Sequence, residues 1–224
     1  MNVLGSRLNY PKIDISEAKY SDAAKKLDCE VSAIKAVAMT ESHGTGFCDN
    51  GLPKILYERH IFFRSLLPKD KRNEKLSLLK NEPNPFPKDP NLCLPIQGGY
   101  TDGESAEGGW THTDESVMHQ YERFIRACSL DRDAAIMACS WGAFQVLAFF
   151  YEEMGYSSPL DLANLQMQGI GEQFDLFVNY ISINNSAKKA LQGKNWEDFA
   201  YYYNGSGYPP KYPSAMKEFY EKFK

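Results

Sequence analysis

Paired cysteines, cationic excess and long apolar runs are all missing from this 224-residue chain, and each absence removes a class of function. Its five cysteines, Cys29, Cys48, Cys93, Cys128 and Cys139, form no CxxC pair and leave an odd count, which suits reduced thiols better than a disulfide framework. Lys and Arg number 25 against 29 Asp and Glu, a net charge of -4, and no basic run interleaves with aromatics, so no nucleic-acid partner is expected. No segment approaches the roughly 20 apolar residues of a membrane span. The N-terminus MNVLGSRLNYPKIDIS has no apolar h-region, so a secretory signal is not expected either. The four histidines, His43, His60, His112 and His119, form neither HExxH nor HxH, which argues against a zinc site.

What is present is enough apolar material, 43% hydrophobic and 13% aromatic, to bury one good-sized core. We expect an N-terminal segment, 1–15, and one domain over 16–224. Helical periodicity and capping residues predict helices from Ser16 to Leu27, Glu30 to Glu41, Asp114 to Cys128, Asp131 to Cys139, Gly142 to Met154 and after Ser158-Pro159. Phe174, Phe177, Val178 and Ile181 mark a further helix, Asn195 can cap WEDFAYYY, and YPSAMKEFYEKF closes the chain. ILYERHIFF has β-branched and aromatic content, so a small β element is expected near 53–63. Residues 81–113 are rich in Pro, Gly, Asn and Asp and read as a long surface loop, a feature more often functional than incidental. The fold class is mostly α.

One carboxylate is out of place. In VSAIKAVAMTESHG, Val31, Ile34, Val37 and Ala38 share a helical stripe, and Glu41 falls on the same stripe at the last turn. Burial and the negative helix C-terminus both disfavour the charged form, which raises the pKa and makes a general acid at neutral pH. A helix-ending Glu that bends back into solvent has the same local sequence.

Two later stretches bear on this choice: Gly142-Ala143-Phe144-Gln145, with a polar residue in an apolar helix start, and Tyr203-Asn204 before Gly205. With Glu41-Ser42, in this order, they resemble the three-part signature of the lysozyme superfamily in its goose-type and soluble lytic transglycosylase branches. The wider wording, VSAIKAVAMTESHGTGF, DNGLPKILYERHIF, QYERFIRACSLDRDAAIMACSWGAFQVL, FVNYI and YYYNGSGY, resembles the N-acetylmuramidase domain of phage endolysins and of some secreted antibacterial effectors. The resemblance implies a lysozyme-like fold. It implies hydrolysis of the β-1,4 bond between N-acetylmuramic acid and N-acetylglucosamine in peptidoglycan, with no metal or organic cofactor and with Glu41 as the acid. Gln145, Tyr203, Asn204 and Ser42 correspond to substrate-binding positions. A monomer is expected, made in the cytoplasm and acting on the cell wall after release or delivery.

Glycoside hydrolysis usually needs a second carboxylate, and the candidates are Asp49 and Glu58. Glu58, a charge inside the apolar segment ILYERHIF, is the better choice, whereas the Asp-Asn-Gly turn already explains Asp49. Transglycosylase chemistry needs no second protein carboxylate and stays open, as do an inert glycan-binding module and a Cys/His peptidase using Cys48 or Cys93. Trp110 and Trp141 could offer sugar-stacking faces, although a Trp at the position of Trp141 also suits a core.

Overall fold

The computed structural model describes residues 15–42, 46–98 and 114–224. Helix starts follow the capping residues. The side chain of Ser16 accepts from the Lys19 N–H to open α1 (Glu17–Leu27), and α2 (Val31–Glu41) follows after a left-handed Asp28. Asp131 caps α6 (Arg132–Met137), Ser158 caps α7 (Pro159–Gln166), Asn184 caps α9 (Asn185–Gln192) and Asn195 caps α10 (Trp196–Asn204), each by accepting a backbone N–H three residues on. The other helices are α3 (Arg59–Ser65), α4 (Leu76–Leu79), α5 (Asp114–Cys128), α8 (Ile170–Ile183) and α11 (Tyr212–Phe223).

The second helix is the centre of the molecule. Ala33, Ala36 and Ala38 bring neighbouring backbones close, and Ile34 and Val37 fill the space between, so α2 packs against α1 on one side and along α11 on the other. Val31, the first residue of the predicted stripe, is exposed, while the stripe is buried from Ile34 to Glu41. Phe174, Phe177, Val178 and Ile181 of α8 are all buried, as their spacing predicts. The apolar residues form one core that links the helices to the sheet.

The expected β element near 53–63 is present as one strand, and the sheet is larger than predicted, with two further strands between 139 and 147. Strand β1 (Ile55–Tyr57) ends halfway through ILYERH, and after the joint residue Glu58 the chain continues as α3. Strands β2 (Cys139–Trp141) and β3 (Val146–Leu147) complete an antiparallel sheet in the order β1-β2-β3, with Leu56 opposite Ser140 and Ser140 opposite Leu147. The predicted helix from Gly142 to Met154 is therefore a hairpin tip, β3 and a short 3-10 turn at Ala148–Phe150, and α6 stops at Met137. A short apolar run reads the same as helix or buried strand; only pairing with β1 decides it. The segment 81–98 runs in turns over the surface, and the rest of the predicted loop, 99–113, lies outside the described residues.

Candidate active site

Glu41 closes α2 with only 2% of its surface exposed. Burial pushes its pKa from 4.5 up to about 8, and a hydrogen bond from Asn204 Nδ2 to Glu41 Oε1, 2.9 Å, opposes the shift without cancelling it. Burial also raises the phenols of Tyr203 and Tyr212, and Glu41 adds to both shifts, so two tyrosines and an amide surround the carboxyl. The helix ends because Ser42 turns to extended backbone, its N–H still bonded to the Ala38 carbonyl. Ser42 directs its hydroxyl toward the Met39 carbonyl, 3.4 Å away, and is not among the described residues that line the groove.

That groove encloses about 340 Å³. Glu41, Glu58, Gln145, Tyr203 and Asn204, five of the six site residues expected from sequence, line it together. The sheet supplies its floor: Leu56, Ser140 and Leu147 form one cross-strand row and all face the groove, while Ile55, Tyr57, Cys139 and Trp141 alternate into the core. Trp141 is thus a core residue, 1% exposed, packed edge-on against Phe124. Trp110 lies outside the described residues, and Asp49 is exposed in its turn and does not line the groove. Gln97, Phe144, Phe150 and Tyr180 also line it and were not singled out from sequence. Phe144, inside the Gly142–Gln145 motif, and Tyr180, inside FVNYI, lay in stretches that carried a signal.

Glu58 sits at the joint where β1 becomes α3. It is two residues beyond Leu56 and so emerges on the same face of the strand. Its N–H bonds to the Ala138 carbonyl at 2.8 Å, and its side chain is 16% exposed. His60 Nε2 lies 3.6 Å from Glu58 Oε2. Burial, with Arg64 and Arg59 nearby, pushes His60 down to about 4, so at neutral pH the ring beside Glu58 is neutral. The joint is fixed from behind by Arg123, 1% exposed, which donates to the Tyr57 carbonyl at 3.3 Å and lies over the Tyr57 ring.

The hairpin tip that carries Gln145 has an unusual backbone. Gln145 holds φ at 49°, rare for a residue with a side chain, and Gly142 holds φ at 74°. Gln145 Nε2 donates to the Gly142 carbonyl at 2.7 Å and the Lys54 carbonyl at 3.3 Å, which keeps the strained residue in place. Its Oε1 is buried without a protein partner. Below the tip, Gln173 accepts from Ala143 N–H at 2.8 Å and donates to the Gln166 carbonyl at 3.0 Å and the Gly46 carbonyl at 3.5 Å. One buried amide thus ties the tip to α7 and to the segment that leaves the Glu41 helix. Glycine is required at 46 and 142 because a Cβ on either would collide with that amide.

Gln173→Met should lower stability by about 1–3 kcal/mol at every pH, since it strands the Ala143 donor and two carbonyls. Gln173→Glu keeps the acceptor and, while protonated, a donor; ionised, it turns a buried charge on those carbonyls. Its folded-state pKa is then raised, so its stability should fall as pH rises above the ordinary carboxylate range. Thermal melts from about pH 4 to about pH 8 check both. A pH-independent Gln173→Glu would refute the clamp.

No cysteine or histidine is among the described residues lining the groove. Burial pushes the thiols of Cys29 and Cys128 up to about 11 and that of Cys93 to about 12, which keeps them protonated at neutral pH. Among the described residues no group of three or more His, Cys, Asp or Glu side chains could hold a metal. Neither thiol alkylation under native conditions nor a chelator should change the rate of cell-wall clearing. Strong inhibition with an unchanged circular dichroism spectrum would return weight to thiol or metal chemistry.

A buried acid, a second carboxylate and sugar-sized amide and aromatic groups in one groove suit cleavage of a glycan, and the comparisons with known proteins agree. The N-acetylmuramidase family model matches residues 30–224. The crystal structure of the Burkholderia AP3 phage endolysin is similar, with a TM-score of 0.74 at 29% identity, over 97% of this chain and 74% of that one. No curated protein matches the chain. The chain belongs to the N-acetylmuramidase family and is a glycoside hydrolase of peptidoglycan.

Proposed function

We propose that Glu41 is the general acid that protonates the glycosidic oxygen of the β-1,4 bond between N-acetylmuramic acid and N-acetylglucosamine. The observation that carries this reading is the burial of Glu41 in the groove, which keeps the carboxyl protonated at neutral pH. Its Oε1 is occupied by Asn204, which leaves Oε2 to carry the proton. As that proton moves to the leaving oxygen, the bond from this oxygen to the anomeric carbon breaks and positive charge develops on the sugar ring. Glu58 then either bonds to the anomeric carbon or takes a proton from the water that attacks it.

Gln145, Tyr203 and Asn204 orient the sugar. The unpartnered Gln145 Oε1 is an acceptor placed for a hydroxyl or acetamido N–H. Tyr203 is a wall rather than a free phenol: its hydroxyl donates to the Phe144 carbonyl at 2.9 Å and its ring stacks on Phe199. A second carboxylate in the groove favours hydrolysis over closure by the substrate's own groups. On this reading residues 16–224 act as one catalytic domain, as a monomer. Mass spectrometry of digested peptidoglycan tests it: reducing-end muramic acid is expected, an anhydro-muramyl end would indicate transglycosylase chemistry, and free stem peptides would overturn glycan cleavage.

A further inference from the structure

We propose that His60 is a positioning residue for the second carboxylate: its Nε2–H donates to Glu58 Oε2 and leaves Oε1 to face the anomeric carbon or the attacking water. The inference rests on the role given to Glu58 above. Glu58 is the N-cap residue of α3, yet its side chain makes no capping bond to the helix, so the turn itself does not aim the carboxylate into the groove. The ring beside it belongs to the second residue of that helix, with Nε2 3.6 Å from Oε2. That separation is longer than a hydrogen bond, and a small turn of the carboxylate closes it; catalytic hydrogen bonds are often long until substrate tightens them.

The tautomer follows from the other ring nitrogen. His60 Nδ1 is buried with no hydrogen-bond partner among the described residues. A proton there would leave a buried donor unsatisfied and set the Nε2 lone pair against the ionised carboxylate that the role of Glu58 requires. With the proton on Nε2, only a buried lone pair goes unmatched, and the donor faces Glu58. A second proton on the ring is opposed by burial and by the guanidinium groups of Arg64, one turn on, and Arg59, the preceding residue. Both arginines are held in place: Arg64 donates to the Glu74 carbonyl at 3.1 Å, and Arg59 to the Ile96 and Pro90 carbonyls at 3.3 Å each. A neutral donor has a use that a cation in the same place would lack. A lysine or arginine against Glu58 would hold its pKa far down and weaken it as a nucleophile or base, whereas a neutral N–H fixes the orientation at a smaller cost in basicity.

The test combines variant kinetics on soluble peptidoglycan glycans with a spectrum of the parent protein. His60→Leu removes the donor without adding a polar group, and kcat should fall about ten- to a hundredfold with KM within about twofold, as expected for a misplaced reacting group. His60→Gln, whose Nε2 reaches the place of the ring nitrogen, should recover kcat to within about fivefold of the parent. In a Glu58→Gln background, His60→Leu should change the residual rate by less than about twofold, because its effect passes through the carboxylate. Circular dichroism checks each fold. Long-range proton–nitrogen correlation spectra of the parent at neutral pH, which need no variant to fold, should show the His60 ring as the Nε2–H tautomer. An Nδ1–H or doubly protonated ring, an unchanged kcat in folded His60→Leu, or an undiminished effect of His60→Leu beside Glu58→Gln would each overturn the proposal. Full activity of a folded Glu58→Gln would instead overturn the reading of Glu58 on which it rests.

Discussion

Glu41→Gln should give a folded protein that binds peptidoglycan and cleaves it at least two orders of magnitude more slowly than the parent. The amide keeps the shape of the side chain and can still accept from Asn204, but it has no proton to transfer, and general acid catalysis is typically worth about 10²–10⁴ in rate. Turbidity loss of permeabilised cells is the measurement, with wall pull-down to show that binding survives. Clearing within about tenfold of the parent rate would mean that Glu41 is not the acid. The parent itself should lose activity as pH rises through about 8, where the buried carboxyl ionises.

The same substitution should stabilise the fold, and the sign follows from proton linkage. In the unfolded chain Glu41 titrates near 4.5, whereas in the fold it stays protonated up to about 8. Between these values the folded state binds the extra proton, so stability falls as pH rises across that window. The cost approaches roughly 5 kcal/mol at the upper end, as an order of magnitude. Gln has no such titration. The melting temperature of Glu41→Gln relative to the parent should therefore increase from pH 5 to pH 8, on the order of several degrees. A constant difference would contradict the raised pKa.

Glu58→Gln should also lower turnover by two or more orders of magnitude, since it removes the nucleophile or the base on which hydrolysis depends. The side chain lines the groove, and its histidine neighbour is neutral at working pH, so no strong ion pair with His60 is lost. Stability must be measured alongside, because the backbone of Glu58 joins β1 to α3 and bonds to the Ala138 carbonyl. A folded, fully active Glu58→Gln would exclude it from the chemistry. In that case the products decide: hydrolysis with inverted configuration would point to water activated elsewhere, and an anhydro end to the substrate's own groups. Asp49, exposed and away from the groove, is the weaker alternative.

The division between what the chain spells out and what folding adds follows the range of the interactions. Ser16, Asp131, Ser158 and Asn195 cap helices because each bonds a backbone N–H three residues away, and such local events are visible in local sequence. The burial of Glu41 was legible for the same reason, since its stripe is a property of one helix. The hairpin at Gly142–Gln145 was not, because CSWGAFQVL becomes strand only by pairing with Ile55–Tyr57, more than 80 residues earlier. Gln173 gave no signal either: an amide on a helix is normally solvated, and only the approach of Gly46 and Ala143 makes it a buried clamp. The sequence by itself thus determined the mostly helical class and marked Glu41, Gln145, Tyr203 and Asn204 as the candidate site residues. The preference for Glu58 over Asp49 was legible locally, but tertiary structure alone decided that Glu58 and Glu41 share one groove, that Trp141 is core, and that Tyr180 and Gln97 share the wall, because groups far apart in sequence meet only once the core has closed.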